Sequence, residues 1–195
     1  MINIAIFASG NGSNAENIIR YFNSHNTIKA KLILSNRSDA YINVRAKNLN
    51  IPSFTFSKDD FKLGHIILKK LQEYNIDFIV LAGFLLKIPS NIINAYPHNI
   101  VNIHPALLPK YGGKGMYGDR VHNAVKESGD DKSGITIHYI NENYDEGDVI
   151  FQISCDVKPD DSPETIASKV HKLEYEHYPR VIESVINDNL KQQIK

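Results

Sequence analysis

The stretch that most constrains this 195-residue chain is DFIVLAGFLL, Asp77–Leu86, its most apolar run. A strand that is apolar at nearly every position, rather than at alternate ones, must be covered on both faces, as the central strands of a parallel sheet are. The residues before it, HIILKKLQEY (His65–Tyr74), carry the spacing of an amphipathic helix. The same alternation of short β-rich runs and helical patterns fills the first half of the chain. Strands are expected over Asn3–Ala8, Lys31–Ser35 and near Ser53–Phe56, with helices over about Ala15–Asn23 and Asn43–Leu49. A further strand, Asn99–His104, is stopped by Pro105. Two later stretches, Gly134–Ile140 and Val149–Val157, alternate apolar and polar residues and should pair with each other. A last helix runs from Pro163 to about Asp188, with Ser162 as N-cap and Glu164 in the first turn. No repeat, low-complexity tract or linker interrupts this pattern. The expectation is one α/β domain over residues 1–195: a mostly parallel twisted sheet, helices on both faces, late strands partly antiparallel.

Charge narrows the partners. Lys plus Arg and Asp plus Glu number 22 each, so no overall field attracts nucleic acid or an anionic membrane. An anionic ligand must therefore be caught locally. Cys155 is the sole cysteine, which excludes an internal disulfide and a cysteine-based zinc cluster. It falls in the alternating FQISCDV, where a buried, inert thiol is the expected state. No run of about 18 apolar residues is present. MINIAIFASG enters a strand with no basic region before it, so no secretory leader is expected and the cytoplasm is the expected location.

Gly10, Gly12 and Ala15 form a G-x-G-x-x-A pattern between the first strand and the first helix. Glycines permit positive φ and close backbone approach, and a helix N-terminus offers unpaired N–H groups with a partial positive charge. A phosphate cradle is one reading and a merely tight turn the other. The dinucleotide form of the motif wants an acidic residue at the end of the second strand, where this chain has Ser35-Asn36-Arg37. Arg37 would suit the 2′-phosphate of NADP, which keeps a reductase open; Ser13 and Asn14 favour a compact phosphate site.

Residues two apart on a strand share a face, so Asn102 and His104 project together at the C-terminal end of a parallel strand, where α/β ligand sites lie. An amide donor beside an imidazole can hold a developing oxyanion and move a proton; a hydrogen-bonded structural histidine is the alternative. The turn NENYDEGDVI carries Glu142, Asp145, Glu146 and Asp148 around Gly147. It lacks the ligand spacing of a calcium loop, and no metal is expected.

Four segments, SGNGSN, LAGF, NIHPALLPKY and YDEGDVIFQ, follow one another at a spacing that resembles the phosphoribosylglycinamide formyltransferases, a folate-dependent formyltransferase family of purine synthesis. The resemblance spans nearly the whole chain. NIHPALLP with a downstream D-x-G-x-x-I is specific to formyl-transferring folate enzymes, whereas the glycine loop alone is not. It implies a Rossmann-like formyltransferase fold, with 10-formyltetrahydrofolate as co-substrate and the amine of 5-phosphoribosylglycinamide as acceptor. Asn102, His104 and Asp145 would be catalytic: the Asn102 amide and a protonated His104 would hold the oxyanion, and Asp145 would raise the His104 pKa above its usual ~6.5. Gly12, Ser13 and Asn14 would cradle the ribose phosphate, Glu174 would hold the glycinamide ammonium, and His171 would stand near the phosphate. Leu85, Leu86, Lys87 and Ile88, with Asn102, would line the folate pocket, although Leu86-Lys87 depart from the arginine of some members. The stretch Gly112–Asp119 looks longer than usual, and Lys114, Met116 or Tyr117 would touch substrate or folate. Methionyl-tRNA formyltransferases share the catalytic trio but usually carry a second, basic domain. Formyltetrahydrofolate deformylases share it but carry an extra N-terminal domain. A catalytically dead binding module is disfavoured because all three catalytic positions are filled.

Overall fold

A computed structural model describes residues 1–193. Its seven strands are β1 (Ile2–Phe7), β2 (Ile28–Ser35), β3 (Ser53–Thr55), β4 (Phe78–Leu81), β5 (Ile100–His104), β6 (Lys132–Tyr139) and β7 (Val149–Asp156). They form one sheet in the order β3-β2-β1-β4-β5-β6-β7. Neighbours from β3 to β5 pair in parallel, while β5–β6 and β6–β7 are antiparallel. The α/β architecture is the one the residue pattern implied.

The helices are α1 (Ser13–Asn23), α2 (Ile42–Asn48), α3 (Lys58–Leu63), α4 (His65–Glu73), α5 (Ser90–Ala95), α6 (Asp119–Ser128) and α7 (Pro163–Gln193). Two buried clusters, one on each face of the sheet, explain the continuous apolar run of β4. Phe78 and Val80 join Ile4 and Ile6 beneath α1, α2 and α7. Ile79 and Leu81 join Ala5 and Phe7 beneath α3, α4 and α5. Each fully buried Ile, Leu or Phe contributes roughly 1.5–3 kcal/mol, so both faces must be sealed.

Two six-residue helices, α3 and α5, have no counterpart in the sequence reading. The first rests on a capping box, with Asp60 N donating to Ser57 Oγ at 3.1 Å. Helix α7 continues through Pro179 because its apolar side is buried on both sides of that residue, at Ile166, Val170 and Tyr178 before it and Ile182 and Ile186 after it. Cys155 lies half-buried on the edge strand β7, and burial raises its thiol pKa, in keeping with an inert thiol.

The chain leaves β1 toward β2 and β3 on one side and returns at β4 to build outward on the other. This switch point between β1 and β4 opens a crevice beyond their C-terminal ends, the general ligand position of open α/β sheets. Tyr178, wholly buried on α7, ties α7 to that region: its hydroxyl donates to the carbonyls of Leu81 (2.8 Å) and Val101 (3.3 Å). Tyr178→Phe removes this link and is expected to cost about 1–2 kcal/mol, read as a lower midpoint in thermal unfolding; an unchanged midpoint would show that the hydroxyl holds nothing.

Candidate active site

The turns after β1, β4 and β5, the glycine-rich stretch before α6 and one face of α7 enclose a cavity of about 630 Å³. Ser9 joins the first two of these turns. Its hydroxyl donates to Asn36 Oδ1 at 2.7 Å and accepts from Leu85 N at 3.0 Å.

Gly12 is left-handed at φ +76°, and a Cβ there would collide with Ile42 of α2, so only glycine fits. Gly10 has open space around it and is not required sterically. No side chain caps α1, which leaves the N–H groups of Ser13, Asn14 and Ala15 free, while Glu16 N donates to the Gly12 carbonyl. Gly12, Ser13 and Asn14 all line the cavity, as does Arg37, whose guanidinium is paired to Asp39 at 2.7 Å.

Asn102 and His104 share a face of β5 and both line the cavity. The acidic turn reaches them: Asp145 Oδ2 stands 3.6 Å from His104 Nδ1, and Gly113 N donates to the same oxygen at 2.9 Å. Asp145 takes a left-handed φ of +56°, a conformation that aspartate tolerates better than most residues. Sequence reasoning missed a fourth member, His138 on β6, directly opposite Asn102 in the antiparallel register and 1% exposed. Its Nδ1 donates to the Tyr139 carbonyl at 2.8 Å, which leaves Nε2 to accept from Asn102 Nδ2 at 3.1 Å. That bond sets the orientation of the Asn102 amide and leaves its second N–H unspent. Asp145 Oδ1 lies 3.7 Å from His138 Nε2.

The expectation of a His104 pKa raised by Asp145 needs correction. Burial is the largest influence and lowers it; Asp145 and the Tyr111 carbonyl push it up without winning. The ring is 4% exposed, and its Nε2–H donates to Tyr111 O at 2.7 Å. The resting imidazole is therefore biased toward the neutral form. Burial also pushes Asp145 upward, but His138, the His104 ring and the Gly113 N–H together hold its carboxyl below the usual range.

On α7, Glu174 is 4% exposed, which rules out a solvated helix face. Its Oε2 accepts from Asn14 Nδ2 at 2.9 Å and from His171 Nδ1 at 2.7 Å, so Asn14, Glu174 and His171 form one chain along the cavity wall. His122 of α6, also missed, is buried with Nδ1 unpartnered and meets the His171 ring edge to face. Of the segment Leu85–Ile88, only Leu85 lines the cavity; Ile88 is buried in the core beneath α5, with Leu86 packed against that cluster. Lys114, Met116 and Tyr117 all line the cavity. Among the described residues, no cluster of three His, Cys, Asp or Glu side chains could hold a metal, and no helix is long and apolar enough to cross a membrane.

The family described as "Formyl transferase" matches residues 2–182. The chain belongs to the formyl transferase family. A chloroplastic phosphoribosylglycinamide formyltransferase of Arabidopsis thaliana is 37% identical over 96% of this chain, which spans 66% of that protein. The phosphoribosylglycinamide formyltransferase of Bacillus subtilis is 34% identical, with 97% of each chain covered. The crystal structure of the Streptococcus pneumoniae protein of that name superposes with a TM-score of 0.84 at 33% identity, covering 95% of this chain and 99% of that one. Membership of this family sets aside the NADP-reductase reading of the glycine loop and leaves Arg37 as a cavity-lining cation.

Because burial depresses His104 while Asp145 raises it, Asp145→Asn should lower the ring's titration midpoint further. Proton NMR of the His104 ring as a function of pH checks this; an unchanged or higher midpoint would mean that the carboxylate does not act on the ring.

Proposed function

We propose that this chain transfers the formyl group of 10-formyltetrahydrofolate to the amine of 5-phosphoribosylglycinamide. The observation that carries the reading is the convergence of Asn102, His104 and Asp145 on the cavity of a chain from this family. The uncapped start of α1, with Gly12, Ser13 and Asn14, supplies N–H donors suited to the ribose phosphate. Glu174 is the buried carboxylate at the acceptor end of the cavity, suited to the ammonium or other donors of the phosphoribosyl substrate. Leu85 faces the space assigned to the folate, and Lys114, Met116 and Tyr117 close the same cavity.

In this reaction the amine attacks the formyl carbon, a C–N bond forms, and the carbonyl oxygen takes on negative charge. The free N–H of Asn102 is the donor for that oxygen, held in orientation by His138. A neutral His104 suits the first proton movement, because the attacking amine must lose a proton as its bond forms. The imidazolium so produced is stabilised by Asp145 and by the adjacent oxyanion. Collapse of the intermediate breaks the bond to the folate nitrogen, which takes up the proton from the ring, directly or through water.

Purified protein supplied with both substrates should deformylate the folate and formylate the amine in equal amounts. Asn102→Ala should lose about 10²–10³ in kcat, the usual effect of removing one oxyanion donor. Wild-type turnover in that variant, or no formyl transfer by the wild-type protein, would overturn the proposal.

A further inference from the structure

We propose that Arg45 of α2 is the positioning residue of the phosphate loop, turning both Asn11 oxygen atoms away from the cavity so that they do not oppose an anion. The inference rests on the reading that Gly12–Asn14 receive a phosphate, and it assigns the control of that cradle to a side chain outside it.

A loop binds an anion only if its carbonyls point elsewhere, since each oxygen that faces a phosphate repels it. The carbonyls of Gly10, Asn11 and Gly12 and the side-chain oxygen of Asn11 are all occupied from within the protein. The Gly10 carbonyl accepts from Ile42 N at 3.2 Å, and the Gly12 carbonyl accepts from Glu16 N at 2.9 Å inside α1. Between them Asn11 carries two oxygens, and both are held by one guanidinium: Arg45 Nε donates to the Asn11 carbonyl at 2.8 Å, and an Arg45 terminal nitrogen donates to Asn11 Oδ1 at 2.7 Å. The other terminal nitrogen pairs with Glu16, which also accepts from Arg20 at 2.8 Å. This pairing matters because Glu16 lies in the first turn of α1, where an unneutralised carboxylate would oppose a phosphate at the same helix end. Tyr41 stacks on the guanidinium at 4.9 Å and fixes its plane.

Three separate acceptors on two segments need the planar fork of arginine. The single ammonium of lysine cannot reach Asn11 O, Asn11 Oδ1 and Glu16 together. Arg45 therefore sets the direction of the loop without touching the ligand, and a conservative Arg45→Lys should behave much like a deletion.

The test is calorimetric binding of inorganic phosphate and of ribose 5-phosphate to wild-type protein, Arg45→Ala, Arg45→Lys and Glu16→Gln, beside steady-state kinetics and thermal unfolding. Both Arg45 variants should bind either phosphate about tenfold more weakly, the scale of one lost charged hydrogen bond. Their KM for the phosphoribosyl substrate should rise by a similar factor while KM for the formyl-folate stays put. Glu16→Gln spares both Asn11 contacts and should not weaken phosphate binding. Should Arg45→Ala fail to fold, Arg45→Lys decides. Variants with a lowered melting temperature but wild-type phosphate affinity and KM would reduce Arg45 to a structural role and overturn the proposal. A wild-type protein that binds neither phosphate would instead defeat the underlying reading of the loop, whatever the variants do.

Discussion

One carboxylate organises the β5 end of the cavity. Asp145 comes from the turn between β6 and β7 and meets His104 of β5, His138 of β6 and the Gly113 N–H of the glycine-rich stretch. Four chain segments thereby acquire a fixed relation to one another. Asn102 is drawn in at one remove, through His138. Without the carboxylate, the buried His104 ring would keep only the Tyr111 carbonyl and Glu174 to support a positive charge.

The balance at His104 sets burial against the charge of Asp145. Unit charges about 4 Å apart attract by roughly 4 kcal/mol at an effective dielectric of ~20, and taking an ion out of water costs several kcal/mol. In the resting site burial has the edge. In the proposed reaction, negative charge developing on a substrate oxygen would add to the side of Asp145. A ring that is neutral at rest can accept a proton and return it, which a permanently charged ring does less well. The same economy holds at the other end of the cavity, where a chain of zero formal net charge offers an anion uncapped N–H groups instead of a broad positive surface.

Much of the architecture was legible because periodicity reports burial. The run at Phe78–Leu81 announced a doubly covered strand, and the Asn102–His104 spacing announced a shared face at a strand's end. Short helices were less visible: α3 and α5 are each under two turns, too short for a 3.6-residue pattern to show. His138 sat in plain view in GITIHYI, but its meeting with Asn102 depends on the register of an antiparallel pair, which neither strand states alone. The approach of Asp145 to His104 spans about forty residues, and only the family resemblance pointed to it. The pKa direction of His104 was misjudged because the partner was visible in the sequence and the depth of burial was not. Leu86, Lys87 and Ile88 were placed at the cavity by resemblance, yet of Leu85–Ile88 only Leu85 reaches its wall.

The most direct test of the central claim is a double-mutant cycle on kcat/KM for formyl transfer with His104→Ala, Asp145→Asn and the pair together. If the carboxylate acts through the imidazole, the double variant should be little slower than the slower single variant, because each loss removes the same function. Losses that simply multiply would show two independent roles and contradict the account.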